Sequence, residues 1–384
     1  MKLSKLFLIL TILSIPLGQF GKLPYMPEGV NLYLTDILAL TTVTWWLVYS
    51  LLIKRTFRIT KTSVAILAFA FVALVSLLWG IQKLETTQQV LVSVSYLVRW
   101  VIYAGLYFVV ASFEKKERGE VLNWLIVSGV LFSIAGFIQL IFFPDWSQFT
   151  YLGWDPHKNR LLSTFFDPNF AGIYLVLVIN LLLNQISSSK KTFLLWLFLA
   201  ICSSALILTF SRSAWLAMAV SIFIWGIFKS RKLLLVAIIV VFLAYFAVPR
   251  VQTRIAGGFD PDDSARLRFQ SWSQTWDIAK DNLTLGVGFN TFRYAQAEKG
   301  VFDWRQPLGG HSGAGSDSSL LFVLATTGVF GLASYFLIFL SGIKKNVLVL
   351  SSLGALLVNS LFINSLFYPS VMLFSWVLLA SWSD

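Results

Sequence analysis

The chain has 384 residues, of which 57% are hydrophobic, 16% aromatic and 12% charged, with a mean hydropathy of +0.76. That much apolar surface cannot be hidden in a soluble core of this size, so a water-soluble globular fold is excluded. The net charge of +12 sits in short clusters between apolar runs, which assigns it to membrane orientation rather than nucleic-acid binding.

Apolar runs of spanning length lie near residues 5–20, 31–53, 63–81, 90–112, 121–143, 169–186, 192–210, 213–228, 233–248, 318–341, 346–363 and 366–382. They predict an all-α polytopic membrane protein with about 12 transmembrane helices. The first run resembles a signal peptide, but Pro16-Leu17-Gly18-Gln19 offers no small-residue cleavage site, so a retained helix is expected. Lys and Arg in short loops mark the cytoplasmic side. Lys2 and Lys5 precede the first run, Lys54, Arg55, Arg58 and Lys61 follow the second, and Lys115, Lys116 and Arg118 follow the fourth. Lys190 and Lys191 follow the sixth, Lys229, Arg231 and Lys232 the eighth, and Lys344 and Lys345 the tenth, so both termini are expected in the cytoplasm. Within the fourth helix Arg99 lies at a depth where an unpaired charge is expensive, and Asp36 of the second is its expected partner in a structural ion pair. Cys202, the single cysteine, falls inside the seventh helix and leaves no pair for a disulfide or a cysteine metal cluster.

Two long loops fall on the outer side, residues 144–168 and 249–317. The second has eight basic and eight acidic residues; this balance makes it too polar to span and predicts a folded extracytoplasmic cap between helices nine and ten. The whole chain, 1–384, is read as one membrane domain with this cap, 249–317, inserted. Asp262-Asp263-Ser264 supplies capping residues for a surface helix whose Leu267, Trp272, Trp276 and Ala279 recur at nearly helical spacing. Gly286-Val287-Gly288-Phe289 lacks the third glycine of a nucleotide loop and reads as a tight turn returning the chain to the bundle.

Three arginines share the outer side: Arg160, Arg212 at the start of the eighth helix, and Arg266 in the cap. A guanidinium presents a rigid fork of donors to phosphate oxygens, and the free N–H groups of a helix N-terminus favour the same anion, so the three together suit a diphosphate. Taken one at a time, each arginine fits a contact with lipid headgroups or a cap carboxylate better than a diphosphate site.

The stretch Arg160-Leu161-Leu162-Ser163-Thr164-Phe165-Phe166-Asp167-Pro168-Asn169-Phe170-Ala171-Gly172 resembles the Arg, Thr-Phe and Pro-Asn pattern of the bacterial O-antigen ligase and polymerase superfamily. Leu208-Thr209-Phe210-Ser211-Arg212-Ser213-Ala214-Trp215 is similar to its Thr-x-Ser-Arg segment, and Ala265-Arg266-Leu267 with Gly286-Val287-Gly288-Phe289 to the two ends of its outer loop. The resemblance implies a metal-independent, cofactor-free membrane glycosyltransferase of the bacterial cytoplasmic membrane. It would transfer or polymerise a polyprenyl-diphosphate-linked glycan onto a hydroxyl of a glycan, lipid or protein acceptor at the outer face. It also carries Asn169 into the substrate-binding set with Arg160, Arg212 and Arg266, and implies a catalytic role for Arg212 and Arg266 in stabilising the leaving diphosphate. Family ligases commonly have His-Asn or His-Ser, nine residues and then Gly where the cap meets the next helix; here the same spacing to Gly328 begins Asp317-Ser318. A carboxylate can take the acceptor's proton, so Asp317 is the expected base, with an N-cap as its other role. His311 lies six residues too early and is a second candidate for base or substrate contact. An exporter or flippase of lipid-linked glycan is the alternative from another class, although the charged candidates gather at one surface rather than near the midplane.

Overall fold

The computed structural model describes residues 2–27, 29–54, 59–188, 193–259, 263–301, 315–343 and 346–382. His311, Asp262, Arg55, Arg58, Lys190, Lys191, Lys344 and Lys345, all used above, lie outside the described residues. Within them the chain is helical, with two isolated bridges, Lys22 with Tyr33 and Asp145 with Lys158, and no strand. The helices are α1 (Lys2–Leu13), α2 (Leu34–Tyr49), α3 (Lys61–Gly80), α4 (Thr87–Ala111), α5 (Lys115–Phe142), α6 (Pro168–Ser188), α7 (Phe193–Leu208) and α8 (Arg212–Phe228). They continue with α9 (Arg231–Ala247), α10 (Pro249–Phe259), α11 (Asp263–Ala279), α12 (Phe292–Glu298), α13 (Ser319–Gly342), α14 (Val347–Asn359) and α15 (Pro369–Ser381).

Six helical segments among the described residues are long and apolar enough to cross a membrane: Leu34–Leu52, Lys61–Lys83, α4, α5, α6 and α13. Two bent pairs, Lys2–Leu13 with Ile15–Gly21 and Arg231–Ala247 with Pro249–Ala256, raise this to eight if each is one span. The remaining expected spans are the short apolar helices α7, α8, α14 and α15, which fall below the ~20 residues of a straight crossing. Polar residues bound them: Thr209 and Ser211 lie between α7 and α8, and Ser360 and Ser365 lie between α14 and α15. All four break residues are buried, the setting in which irregular backbone is tolerated inside a membrane bundle. This architecture fits a polytopic membrane protein.

Side-chain contacts define two ends of the bundle. At one, Lys5 of α1 bonds Glu120 of α5 at 2.8 Å, Thr60 bonds Tyr107 of α4 at 2.7 Å, and Ser341 of α13 bonds Thr62 of α3 at 3.1 Å. At the other, Arg99 Nη2 meets Asp36 Oδ2 at 2.9 Å and also donates to the Asn31 carbonyl. Asp36 further accepts from the Tyr103 hydroxyl at 3.0 Å and the Tyr33 amide at 3.0 Å. The expected Arg99–Asp36 pair is therefore formed, and its hydrogen bonds offset the desolvation of both charges.

A glycine-dependent joint fastens the 283–289 segment to the bundle. α13 breaks at Gly328, with φ 66° and ψ −167°. The Val287 and Gly288 amides donate to the Ala325 and Thr326 carbonyls at 2.9 and 3.1 Å, and the Val329 amide donates to the Leu283 carbonyl at 2.8 Å. The expected turn at Gly286–Gly288 is thus docked into the break of α13. A Cβ on Gly328 would lie 2.1 Å from the Thr284 carbonyl oxygen, adding overlap to left-handed strain. Gly328→Ala is expected to destabilise the protein by more than ~2 kcal/mol, read as a lowered Tm in detergent. Gly300→Ala is the control, because Gly300 shares a positive φ of 69° but has nothing within 4 Å of its Cβ position.

Candidate active site

Three chain segments are stitched together around Arg160. Gln139 of α5 accepts the Leu162 and Ser163 amides on Oε1 at 2.8 and 3.2 Å, which holds the 159–163 segment against the bundle. Arg160 then donates from Nε to the Thr209 carbonyl at 2.8 Å and from Nη2 to the Phe210 carbonyl at 3.2 Å. These carbonyls belong to the break after α7, so the guanidinium satisfies backbone groups that the ended helix leaves open. Ser211 caps α8, its Oγ accepting the Ala214 amide at 3.4 Å, and donates to Asn169 Oδ1 at 2.9 Å. Asp167 Oδ1 in turn accepts the Asn169 amide at 2.6 Å at the start of α6. Arg212, half-buried, is the first residue of α8. The N-termini of α6 and α8 are therefore linked side by side, and both direct positive helix-dipole ends to this point. Asn159, Ser163, Phe166 and Phe210 have φ of 48°, 51°, 59° and 49°; left-handed backbone at bulky residues is strained and concentrates where a site must be held in shape.

Helices α10 and α11 add charge. Arg250 of α10 donates Nη1 to the Asn159 carbonyl at 2.9 Å and lies over the Phe210 ring at 4.8 Å. Arg268 of α11 reaches Asn169 Oδ1 at 3.5 Å. Arg160 is held down to about 9, chiefly by burial and next by Arg254, with Asp167 acting the other way, so it stays protonated at neutral pH. Burial, opposed by Asp167 and reinforced by Arg160 and Arg254, pushes His157 down to about 4 and keeps its ring neutral there. Among the described residues, Arg160, Arg250, Arg254 and Arg268 outnumber Asp155, Asp167 and Asp317, leaving a positive excess suited to an anion. Ligand atoms of Asp155, His157 and Asp167 lie within 4.8 Å of one another. That spacing suits a metal ion, while Arg160 and Arg254 oppose a dication at the same point.

Asp317 lies two residues before the start of α13. Its amide donates to Ser271 Oγ at 3.0 Å and its carbonyl accepts from Trp272 Nε1 at 3.1 Å, so α11 fixes its backbone. Ser318 caps α13, accepting the Leu321 amide on Oγ at 3.3 Å. The capping role therefore falls to the neighbour, not to Asp317. Burial raises the Asp317 carboxyl to about 6, Arg268 lowers it, and Asp167 and Asp155 raise it.

An O-antigen ligase family model matches residues 197–336. The match supports assignment to the O-antigen ligase and polymerase superfamily. It runs from α7 into α13 and includes Arg212, Arg266, Arg268 and Asp317, whereas Arg160 and Asn169 lie before it. No curated protein matches the chain.

Of the residues expected at an O-antigen ligase-type site, the structure brings Arg160, Asn169 and the start of α8 at Arg212 together, and places Asp317 within electrostatic reach through Arg268. Arg266 is exposed and shows no described bond to this group; Arg268 turns inward instead. Helix phase explains the difference. The buried face of α11 runs through Thr275, Ile278 and Ala279, while Leu267 and Trp276 are exposed; the expected apolar face thus divides, with Trp272 and Ala279 inward. Arg268 precedes Trp272 by one turn and shares its side. The sequence reading missed Arg268, Arg250, Arg254, Asp155, His157 and Asp167. Only Arg268 had a usable signal, its phase with Trp272.

Proposed function

We propose that the chain is a membrane glycosyltransferase of the O-antigen ligase or polymerase type, working at the outer face of the bacterial cytoplasmic membrane with both termini cytoplasmic. The single membrane domain 1–384 carries 249–317 as an extracytoplasmic cap. The observation that carries this reading is the Asp317 carboxylate, released from capping by Ser318 and within the electrostatic range of Arg268, which reaches Asn169 at 3.5 Å within the arginine cluster. The acceptor hydroxyl oxygen attacks the anomeric carbon, the bond from that carbon to the diphosphate oxygen breaks, and the hydroxyl proton passes to Asp317. Polyprenyl diphosphate leaves with the bonding electrons. Its developing charge is stabilised by Arg212, Arg268 and the helix N-termini, with Arg160 supplying potential and bracing the α7–α8 break. Arg266 stands at the rim of the clamp, and Asn169 orients the substrate. A diphosphate is already a weak base, so no second acid is needed. His311 is the reserve partner from the cap.

The donor is a polyprenyl-diphosphate-linked glycan, and the acceptor is a glycan, lipid or protein hydroxyl. The reaction uses no metal. Transfer by the purified protein is expected to be unchanged after EDTA; loss restored by a divalent cation would instead assign Asp155, His157 and Asp167 to a metal. Mass spectrometry of carrier-linked glycans in a deletion strain tests the function. Single repeat units stranded on the carrier identify a polymerase, long carrier-linked polymers identify a ligase, and an unaltered glycan profile overturns both.

A further inference from the structure

A cavity of about 350 Å³ lies beside the arginine cluster, bordered by residues of η1, α2, α4, α6, α12, α13 and α15 together with Gly315 and Asn364, where η1 is the 3-10 turn Ile15–Gly21. Its size is that of a small-ligand site. Two arginines face it, and they differ. Arg99 is neutralised by Asp36 at 2.9 Å. Arg293 lies over the Tyr96 ring at 5.9 Å, and among the described residues no carboxylate pairs with it. Among the described residues the lining therefore carries one more positive than negative charge, and Arg293, half-buried on the cavity wall beside Tyr96, is placed to meet an incoming anion.

Two amide side chains on the same lining are also incomplete. Asn290 Nδ2 and Asn364 Oδ1 are buried without a hydrogen-bond partner. One is a donor and the other an acceptor, the pair of functions that ring hydroxyls satisfy. Tyr368 adds aromatic surface for the C–H face of a ring and stacks on Phe170 at 4.2 Å. Phe170 adjoins Asn169 in sequence and Gly315 stands two residues before Asp317, so the cavity abuts both halves of the site.

We propose that this cavity is a glycan subsite that receives a sugar unit bearing a carboxylate. The carboxylate pairs with the Arg293 fork, hydroxyls bond Asn290 and Asn364, and the ring rests against Tyr368. One net positive charge matches a monoanion rather than a diphosphate, which separates this subsite from the arginine cluster. The assignment rests on the glycosyltransferase reading for its place in the reaction, but its binding chemistry is testable alone.

The test is saturation-transfer NMR on the full-length protein in nanodiscs, with methyl β-D-glucuronide, methyl β-D-glucoside and inorganic pyrophosphate as probes. The glucuronide is expected to bind at least about tenfold more tightly than the glucoside, the size of one charge-assisted hydrogen-bonded contact. Arg293→Gln should reduce it to the level of the glucoside, and Arg293→Lys should retain part of the difference. If Arg293→Gln fails to fold, Asn290→Ala gives the second reading through weaker binding of both sugars. Pyrophosphate should not displace the glucuronide, and Arg268→Ala should weaken pyrophosphate alone. Absent glucuronide binding, equal binding of the two sugars, unchanged binding in Arg293→Gln, or displacement by pyrophosphate overturns the proposal. Selective glucuronide binding by a protein that transfers no glycan would sink the enzymatic reading and leave the subsite standing.

Discussion

Asp317→Asn is expected to lower the transfer rate by ~10²–10⁴-fold, the range for loss of a general base, with no loss of membrane insertion or thermal stability. The substitution keeps the shape of the side chain, and the helix cap it adjoins belongs to Ser318. pH dependence gives the same residue a sharper signature. Only the deprotonated carboxylate accepts a proton, and burial places this carboxyl at about 6. The wild-type rate should therefore rise with pH through about 6 and level off above it. Arg268 lowers the Asp317 pKa, so a variant lacking that charge should move the acid limb to higher pH. His157, at about 4, titrates too low to produce the same limb. Initial rates across pH 4.5–8 would check this, and an unshifted limb in Arg268→Ala would separate Asp317 from it.

Arg212→Ala and Arg268→Ala are each expected to cost ~10²–10³-fold in transfer, as for removal of a donor aimed at developing negative charge. Lysine should recover little at either position, because a point charge does not reproduce the bidentate fork. Arg266→Ala should cost less than about fivefold, the scale of an exposed ionic contact, since Arg266 is exposed while Arg268 reaches Asn169. Initial rates on purified variants of matched Tm decide the order. A larger loss at Arg266 than at Arg268 would reverse the roles assigned on α11. Arg160→Ala belongs to a different class: it removes the donors that hold the Thr209 and Phe210 carbonyls, so its lost rate should come with lost stability.

The helices were legible because apolar runs and basic loops are one-dimensional signals. So was the Arg99–Asp36 pair, since a charge at that depth must find a partner on a neighbouring helix. Three helices, α7, α14 and α15, came out shorter than expected because a hydropathy run does not reveal where buried serines and threonines such as Thr209 and Ser360 end a helix. At the site, the short motifs located Arg160, Asn169 and Arg212, yet the choice between Arg266 and Arg268 depends on the phase of α11 against α13. The spacing of Trp272, Thr275 and Ala279 contains that phase, but Leu267 and Trp276 pointed to another face. His157 and Asp155 had no signal at all. They meet Asp167 through the fold of the 144–168 loop, and nothing in their spacing announces it.

Purified protein in proteoliposomes, supplied with a polyprenyl-diphosphate-linked glycan and an acceptor glycan on the cap side, tests the central claim by release of free polyprenyl diphosphate. Release matched by acceptor extension, and lost in Asp317→Asn and Arg268→Ala, is the predicted result. Movement of the intact lipid-linked glycan across the bilayer, with its sugar–diphosphate bond unbroken, would contradict it.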